Sequence, residues 1–331
     1  MNKSFSIITE DTIKKIYEDN PEAIYKAVET AYLMHSENNV INPPSYFMRF
    51  TDKNSSRIIA LPAAITKEPK VSGIKWISSN PDNITRNLKR ASAVIILNNY
   101  DTGYPFACLE GSLISALRTV NSAVLATFSF KRKRKINKLG IVGCGNIASS
   151  LIDCLIAQNW QINAINIYDS LKKNSEKFKN SFKEVFTEVI KIHDNVKSLV
   201  EESEVILFAT TTQYPYITDP LWFTHNPLIL NLSLRDLSPE ILVSSNNIVD
   251  DIEHVLAAGT SPHLTKLRYN NVDFINGTIG ELLKAECKIE DNKPTIISPM
   301  GMGILDLAVA HYIYNEAEKK HLTIKINDFF S

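Results

Sequence analysis

The chain has no excess of either charge. Its 36 Lys and Arg face 36 Asp and Glu, so the net charge at pH 7 is zero. That balance gives no support to a general role on nucleic acid or on an anionic membrane surface. Cysteine is scarce as well. The four present, Cys108, Cys144, Cys154 and Cys287, show neither CxxC nor Cys/His spacing. They read as buried thiols of a reducing cytoplasm, which leaves no disulfide framework and no metal site. The seven histidines are scattered, with no pair at a ligand spacing. No apolar run reads as long enough to span a bilayer, and residues 1–20 lack the apolar stretch of a secretory leader. Internal repeats and low-complexity segments are missing too. What remains is a cytoplasmic globular chain with no nucleic-acid or membrane partner. Its 331 residues suffice for one large or two ordinary domains, and its 44% apolar and 22% charged residues are typical of such proteins.

Against these absences one stretch stands out, Lys138 to Asp169. The apolar run Leu139–Val142 ends in Gly143-Cys144-Gly145-Asn146-Ile147-Ala148, a G-x-G-x-x-A pattern. A helix-like segment follows to about Gln158, and a second apolar run, Ile162–Tyr168, closes on Asp169. Gly143 allows a tight turn, Gly145 lets a pyrophosphate approach the backbone, and Ala148 is small enough for helix-on-strand packing. The helix N-terminus, at Asn146 and Ile147, offers N–H groups and partial positive charge to phosphates. Asp169 stands where an acid can accept both ribose hydroxyls. No arginine follows it directly, which favours NAD over NADP, although Lys172-Lys173 lie close by.

Upstream, residues 1–10 read as a short strand. Asn20-Pro21 marks a helix start, and Ile24, Val28, Ala31 and Tyr32 give that helix one apolar face. Tyr46–Phe50, Arg57–Pro62, Val71–Ile77 and Ala93–Leu97 read as strands, with a turn at Lys53–Ser56. Strands in succession imply an antiparallel sheet in a separate domain. Phe106–Phe130 reads as one long helix. The cluster Lys131–Lys135 after it reads as a solvated helix end rather than a nucleic-acid contact. From Lys138 on, strands near 139–143, 163–168, 204–209, 228–234 and 247–251 alternate with helical segments, the mark of a parallel sheet covered on both faces. Ile296-Ile297 reads as a last strand, 304–320 as an amphipathic helix and 322–326 as a strand returning to the first domain.

Few residues could carry chemistry. In an open α/β sheet the ligand lies outside the carboxyl ends of the strands. Thr210-Thr211-Thr212 and Asp236 stand at such ends, the hydroxyls suited to the adenosine or its ribose and the acid to proton exchange with an amine. The alternative for Asp236 is a helix cap. The first domain supplies cations: Arg49, Arg57, Lys75, Arg86, Arg90 and Arg118. Several converging on one cleft would suit a substrate with more than one carboxylate. Lys75 sits in Gly73-Ile74-Lys75-Trp76-Ile77, and a lysine among apolar residues needs an anionic partner or a function.

Several of these motifs together resemble the ornithine cyclodeaminase/μ-crystallin family. They are Gly73-Ile74-Lys75-Trp76, Asp101-Thr102-Gly103-Tyr104-Pro105, Leu117-Arg118-Thr119, Ile141-Val142-Gly143-Cys144-Gly145, Asp236 and Pro299-Met300-Gly301-Met302, in the family's order. The resemblance implies a homodimer. It implies a substrate and dimerisation domain built from residues 1–118 and 303–331, and a Rossmann NAD-binding domain over 119–302. It implies substrate contacts from Arg49, Lys75, Arg118 and Arg90, and acid/base work by Asp236, with Lys75 as a second candidate. For the cofactor it implies Gly143, Gly145, Asn146, Ile147, Asp169, Thr210, Thr211, Arg118, Thr119, Ser233, Met300 and Gly301. Glu240 stands where the family has a lysine.

Arg57–Pro62, Arg86–Leu97 and Glu110–Ser115 are most similar to the family's branch that forms L-2,3-diaminopropionate for siderophores and peptide antibiotics. Cyclodeaminases carry an acid where this chain has Ile59. The branch implies NAD-dependent oxidation of N-(1-amino-1-carboxy-2-ethyl)-glutamate and hydrolysis of the imine to diaminopropionate and 2-oxoglutarate. Two alternatives stay open. One is another amine-oxidising or imine-reducing member, such as an ornithine cyclodeaminase, an alanine dehydrogenase or a ketimine reductase. The other is a non-catalytic ligand-binding protein of the μ-crystallin kind.

Overall fold

The computed structural model describes residues 4–53, 56–186, 189–257 and 259–330; Asn54 and Ser55 of the expected turn lie outside them. The chain divides into two compact units, Met1–Arg118 with Gly301–Ser331, and Thr119–Met300.

The first unit opens with β1 (Phe5–Ile8), α1 (Glu10–Asp19) and α2 (Pro21–Ser36). Helix α2 begins as its sequence demands. Asn20 accepts from the Ala23 amide at 3.3 Å, and Pro21 takes the first position, where its missing N–H costs nothing. Helix α1 is an addition to the sequence reading. Its signals are a Thr9 cap, Glu10 and Asp11 in the first turn, and the buried pair Ile13 and Ile16. There follow β2 (Val40–Ile41), β3 (Tyr46–Arg49), β4 (Arg57–Ile65), β5 (Val71–Ser79), β6 (Ala91–Asn98) and β7 (Pro105–Glu110). From β3 to β7 successive strands pair antiparallel.

The expected long helix over 106–130 needs correcting. Its first part is β7, in which Ala107 and Leu109 alternate inward between two strands, β6 and β1. Gly111 breaks the run, and α3 (Ser112–Lys131) starts only there. The Glu110 carboxylate accepts from the Ser112 and Leu113 amides at 2.7 and 2.9 Å, and so caps the helix. Contrary to the expectation for apolar runs, one helix reaches the length of a bilayer span. Helix α3 is long and apolar enough, by length and composition, to cross a membrane, but 67% of its apolar window is buried inside the protein, as in a core helix.

The second unit runs β8 (Lys135–Val142), α4 (Asn146–Ala157), β9 (Gln161–Tyr168), α5 (Lys172–Phe182), β10 (Ile190–Ile192), α6 (Val196–Glu201), β11 (Val205–Phe208) and β12 (Leu228–Asn231). It continues through α7 (Pro239–Val243), β13 (Asn246–Val249), α8 (Ile252–Val255), α9 (Ser261–Tyr269), β14 (Ile275–Thr278), α10 (Ile279–Leu283) and β15 (Thr295–Ser298). All its sheet pairings are parallel, in the order β10-β9-β8-β11-β12-β15-β13-β14. The first five reproduce the doubly wound Rossmann order around β8. Strand β15, the late Ile296-Ile297 segment, is not an edge; it lies between β12 and β13. Strands β10 and β14 are further additions to the sequence reading. The chain then returns to the first unit as α11 (Gly303–Lys319) and β16 (Ile324–Ile326). There β16 pairs with β1, and α11 packs on β4, β5, β6 and α2.

The basic cluster is shared among three roles. Lys131 ends α3 and ion-pairs with Glu204, Arg134 donates to the Gln158 carbonyl at 3.0 Å, and Lys135 opens β8. Of the four thiols only Cys154 is buried; Cys108, Cys144 and Cys287 are half-buried.

Candidate active site

In the second unit the glycine loop joins β8 to α4. Gly143 has φ 94°, and a Cβ there would lie 2.7 Å from the Ala209 carbonyl oxygen, so two features at once demand glycine. Gly145 differs: a Cβ there would meet nothing within 4 Å. It caps α4 without a side-chain bond, so the helix's first amides are left for an anion. Asn146 is exposed, Ile147 half-buried, and Ala148 fully buried. At the end of β9, Asp169 accepts from the amides of Cys144 and Leu171, both at 2.9 Å, and from the Asn174 side chain at 3.0 Å. These features fit a dinucleotide: a cradle open where a side chain would fill it, under an uncapped helix end and beside an acid. Burial pushes the Cys144 thiol up to about 12, so it stays protonated in the loop and is no nucleophile.

Beyond the carboxyl ends of β11 and β12 lies a second cluster. Asp236 exposes no surface, and three hydroxyls surround its carboxylate. Thr210 donates to Oδ1 at 2.6 Å, Tyr216 to Oδ1 at 2.9 Å, and Ser233 to Oδ2. Burial, then the adjoining carboxylate, holds the Tyr216 phenol far above its ordinary value even though 40% of the residue is exposed. Asp236 is not a helix cap; Ser238 stands at that position before α7. Thr210 and Ser233, expected on the cofactor, are brought to Asp236. Thr211 is exposed, and Thr119 and Met300 are half-buried.

In the first unit Lys75 is buried at mid-strand in β5, 1% exposed, and its ammonium lies 2.6 Å from Asp306 Oδ2. The approach is an ion pair off the hydrogen-bonding direction of that oxygen, and Lys75 also donates to Ser115 at 3.2 Å. Arg118 reaches the other oxygen, Oδ1, through Nε at 3.3 Å, and Ser115 through Nη2 at 3.4 Å. Asp306 is wholly buried near the start of α11. One carboxylate thus answers two cations. Burial lowers the Lys75 pKa to about 8; Asp306 opposes that shift and Arg118 adds to it. Gly301, with φ 101°, lies against the Arg118 guanidinium, where a Cβ would collide with Nη1.

A second group of cations sits at one end of the same sheet. Arg49 pairs in register with Arg57, Arg57 with Ser79, and Ser79 with Ala91, immediately after Arg90. Directly opposed residues share a face, so Arg49 and Arg57 lie on the face of Lys75, which is four residues, ~13 Å, from Ser79 along β5. Arg49 is exposed over the Phe47 ring at 5.5 Å, and Arg90 is half-buried. Ile59, opposite Ile77, lies on this face as well.

Three participants escaped the sequence reading: Asp306, Ser115 and Tyr216. Asp306 alone had a visible signal, an acid inside the apolar run Ile304-Leu305-Asp306-Leu307. A profile described as the ornithine cyclodeaminase/mu-crystallin family matches residues 11–321. The chain belongs to that family. Within it, an N-((2S)-2-amino-2-carboxyethyl)-L-glutamate dehydrogenase of Staphylococcus aureus is 29% identical over 99% of both chains. Solved structures of the same fold include a Thermococcus litoralis Delta(1)-pyrroline-2-carboxylate reductase with NADH and L-proline. It has a TM-score of 0.87 and 21% identity, over 97% of this chain and 100% of that one. An archaeal alanine dehydrogenase dimer with bound NAD has a TM-score of 0.86 and 23% identity, over 99% and 100% of the two chains.

Proposed function

We propose that this family member is an NAD-dependent enzyme acting on an amino acid's C–N bond. Its substrate is N-(1-amino-1-carboxy-2-ethyl)-L-glutamate, and its products are L-2,3-diaminopropionate and 2-oxoglutarate. The observation that carries the choice of substrate is the pair of cation groups on one sheet face. Lys75, joined by Arg118 of α3 at the shared Asp306, forms one, and Arg49 with Arg57 the other, about 13 Å apart along the strand. A conjugate with three carboxylates can engage both groups, whereas alanine or ornithine, with one carboxylate, engages one. Ile59 on that face offers no acid to hold a second amine, which argues against ornithine. The Staphylococcus aureus relative carries this substrate in its name.

The chain's residues divide the work. Gly143, Gly145, Asn146, Ile147 and Asp169 would hold NAD, with Thr119, Thr211, Met300 and Gly301 along its length. When bound, NAD supplies the hydride acceptor for the glutamyl Cα. Lys75 and Arg118 bind the carboxylate beside that carbon, and Arg49 and Arg90 bind the distal ones. Asp236 takes the proton from the secondary nitrogen through the hydroxyls that cover its buried carboxylate, because only a neutral amine can push electrons toward the departing hydride. Once that proton has left, the ionised carboxylate stabilises the iminium that forms. Water adds to the imine carbon and gives one proton to Asp236, which passes it to the nitrogen as the C–N bond breaks, and the second water proton ends on the released amine. The partner is a second copy of the chain, a reading supported by the dimeric alanine dehydrogenase neighbour.

The test is incubation with NAD and four amines: the glutamate conjugate, ornithine, lysine and alanine. NADH is followed by absorbance and products by mass spectrometry. NADH and diaminopropionate from the conjugate alone are expected. NADH with alanine alone, or proline from ornithine, would reassign the chain within its family. The absence of NADH with all four would favour a binding protein.

A further inference from the structure

Asp236 has a problem that the reaction does not solve. It exposes no surface, so it can neither collect a proton from water nor shed one. Oxidation of a protonated amine by NAD, followed by hydrolysis, releases one proton per turnover. That proton must leave the buried carboxylate through a neighbour. Three hydroxyls touch it, and they differ. Thr210 and Ser233 are half-buried, while Tyr216 is 40% exposed and still directs its hydroxyl to Asp236 Oδ1 at 2.9 Å. Tyr216 is also tied to this carboxylate's own backbone: its amide and that of Ile217 donate to the Asp236 carbonyl at 3.1 and 3.0 Å. The phenol is therefore held in place by the residue it would serve.

We propose that Tyr216 is the proton port of Asp236, carrying to water the proton that each turnover leaves on the buried carboxylate. This rests on the acid/base role given to Asp236 above. In the step itself the Asp236 O–H bond breaks as a new O–H bond forms on the phenol oxygen. The phenol's own O–H bond breaks in the same motion, and its hydrogen passes to water or to a buffer base. The carboxylate is restored, the phenol ends neutral, and one proton has moved outward. A phenol whose ionisation is pushed far up does not linger as phenolate, which suits a relay that hands on one hydrogen as it receives another.

The experiment compares the unaltered enzyme with Tyr216→Phe and Asp236→Asn, using whichever panel amine yields NADH. In dilute buffer Tyr216→Phe is expected to lower kcat about tenfold to a hundredfold. Rising imidazole should restore it, because a small base can stand in for the phenol. KM and NAD affinity, read by tryptophan fluorescence, should change by less than about twofold. Unchanged turnover at every imidazole concentration overturns the port, as does a loss that imidazole leaves alone. Asp236→Asn separates the two claims. Its turnover should collapse and stay collapsed in imidazole; full turnover there removes the acid/base role itself, whatever Tyr216→Phe does. Absence of NADH with every amine sinks both. Should Tyr216→Phe fail to fold, the unaltered enzyme is followed through one turnover in mixtures of H2O and 2H2O. A rate curving with deuterium fraction marks two protons moving together and supports the port. A linear dependence, or none, overturns it.

Discussion

A lysine between Ile74 and Trp76 is conspicuous in the sequence, but the residue that keeps it there is not. Asp306 is remote from Lys75 and Arg118 along the chain, and only the fold brings it to 2.6 and 3.3 Å from them. Removing its charge leaves two buried cations facing each other. Asp306→Asn is therefore expected to cost ~3–5 kcal/mol of stability, read as an earlier urea midpoint, and to raise the substrate KM. Lys75 itself predicts a pH dependence. Burial sets its folded pKa at about 8, below the ordinary 10.5 that the unfolded chain retains. Between those values the unfolded chain binds more protons, so this residue makes stability rise with pH from about 8 to 10.5; below 8 both states hold the proton and its full burial cost remains. Carboxylate binding runs the other way, because it needs the ammonium. The KM for a carboxylate substrate should climb above about pH 8, and in Lys75→Arg that climb should vanish from the accessible range.

At the scale of the element, the β8–loop–α4 unit was legible in the sequence because its requirements are local: a turn, a close approach, a helix end. The two glycines nevertheless answer to different demands. At Gly143 both φ and the Ala209 carbonyl exclude a side chain, so Gly143→Ala should lower the melting temperature and NAD affinity together. At Gly145 nothing in the protein objects to a Cβ. Gly145→Ala should leave the melting temperature unchanged while weakening NAD binding, measured by calorimetry, by about tenfold, or ~1.4 kcal/mol. An Ala variant that binds NAD normally would remove the pyrophosphate from that loop. Strand β7 shows the opposite case. Its apolar residues satisfied a helical reading of 106–130, and the choice of strand came from partners on both edges, β6 and β1, which no local pattern contains.

For the whole molecule, the first unit's sheet has two unlike faces. One carries Lys75 under α11. On the other, Tyr46, Ala60, Trp76 and Val94 form a row across four strands, with Tyr46 72% exposed and Trp76 and Val94 both 41%. Exposed apolar residues in one row favour a second chain as their cover. If the chain dimerises through this face, Trp76→Glu should sediment as a monomer with an unchanged circular dichroism spectrum. A dimer that survives the substitution would point to another surface.

The glycine loop after β8, the acid after β9, the alternation of strands and helices in the second unit and the isolated lysine follow from the amino-acid sequence alone, because each depends on neighbours within a few residues or on a local period, whereas the short strands β10 and β14 did not. The tertiary structure decided the rest. It set Ile296-Ile297 between β12 and β13, since strand order depends on which edges pair. It gave Lys75 and Arg118 a common acid, and it surrounded Asp236 with hydroxyls from separate loops. These are encounters between distant segments, and the buried charges can be tolerated only where folding has already removed water and supplied a partner.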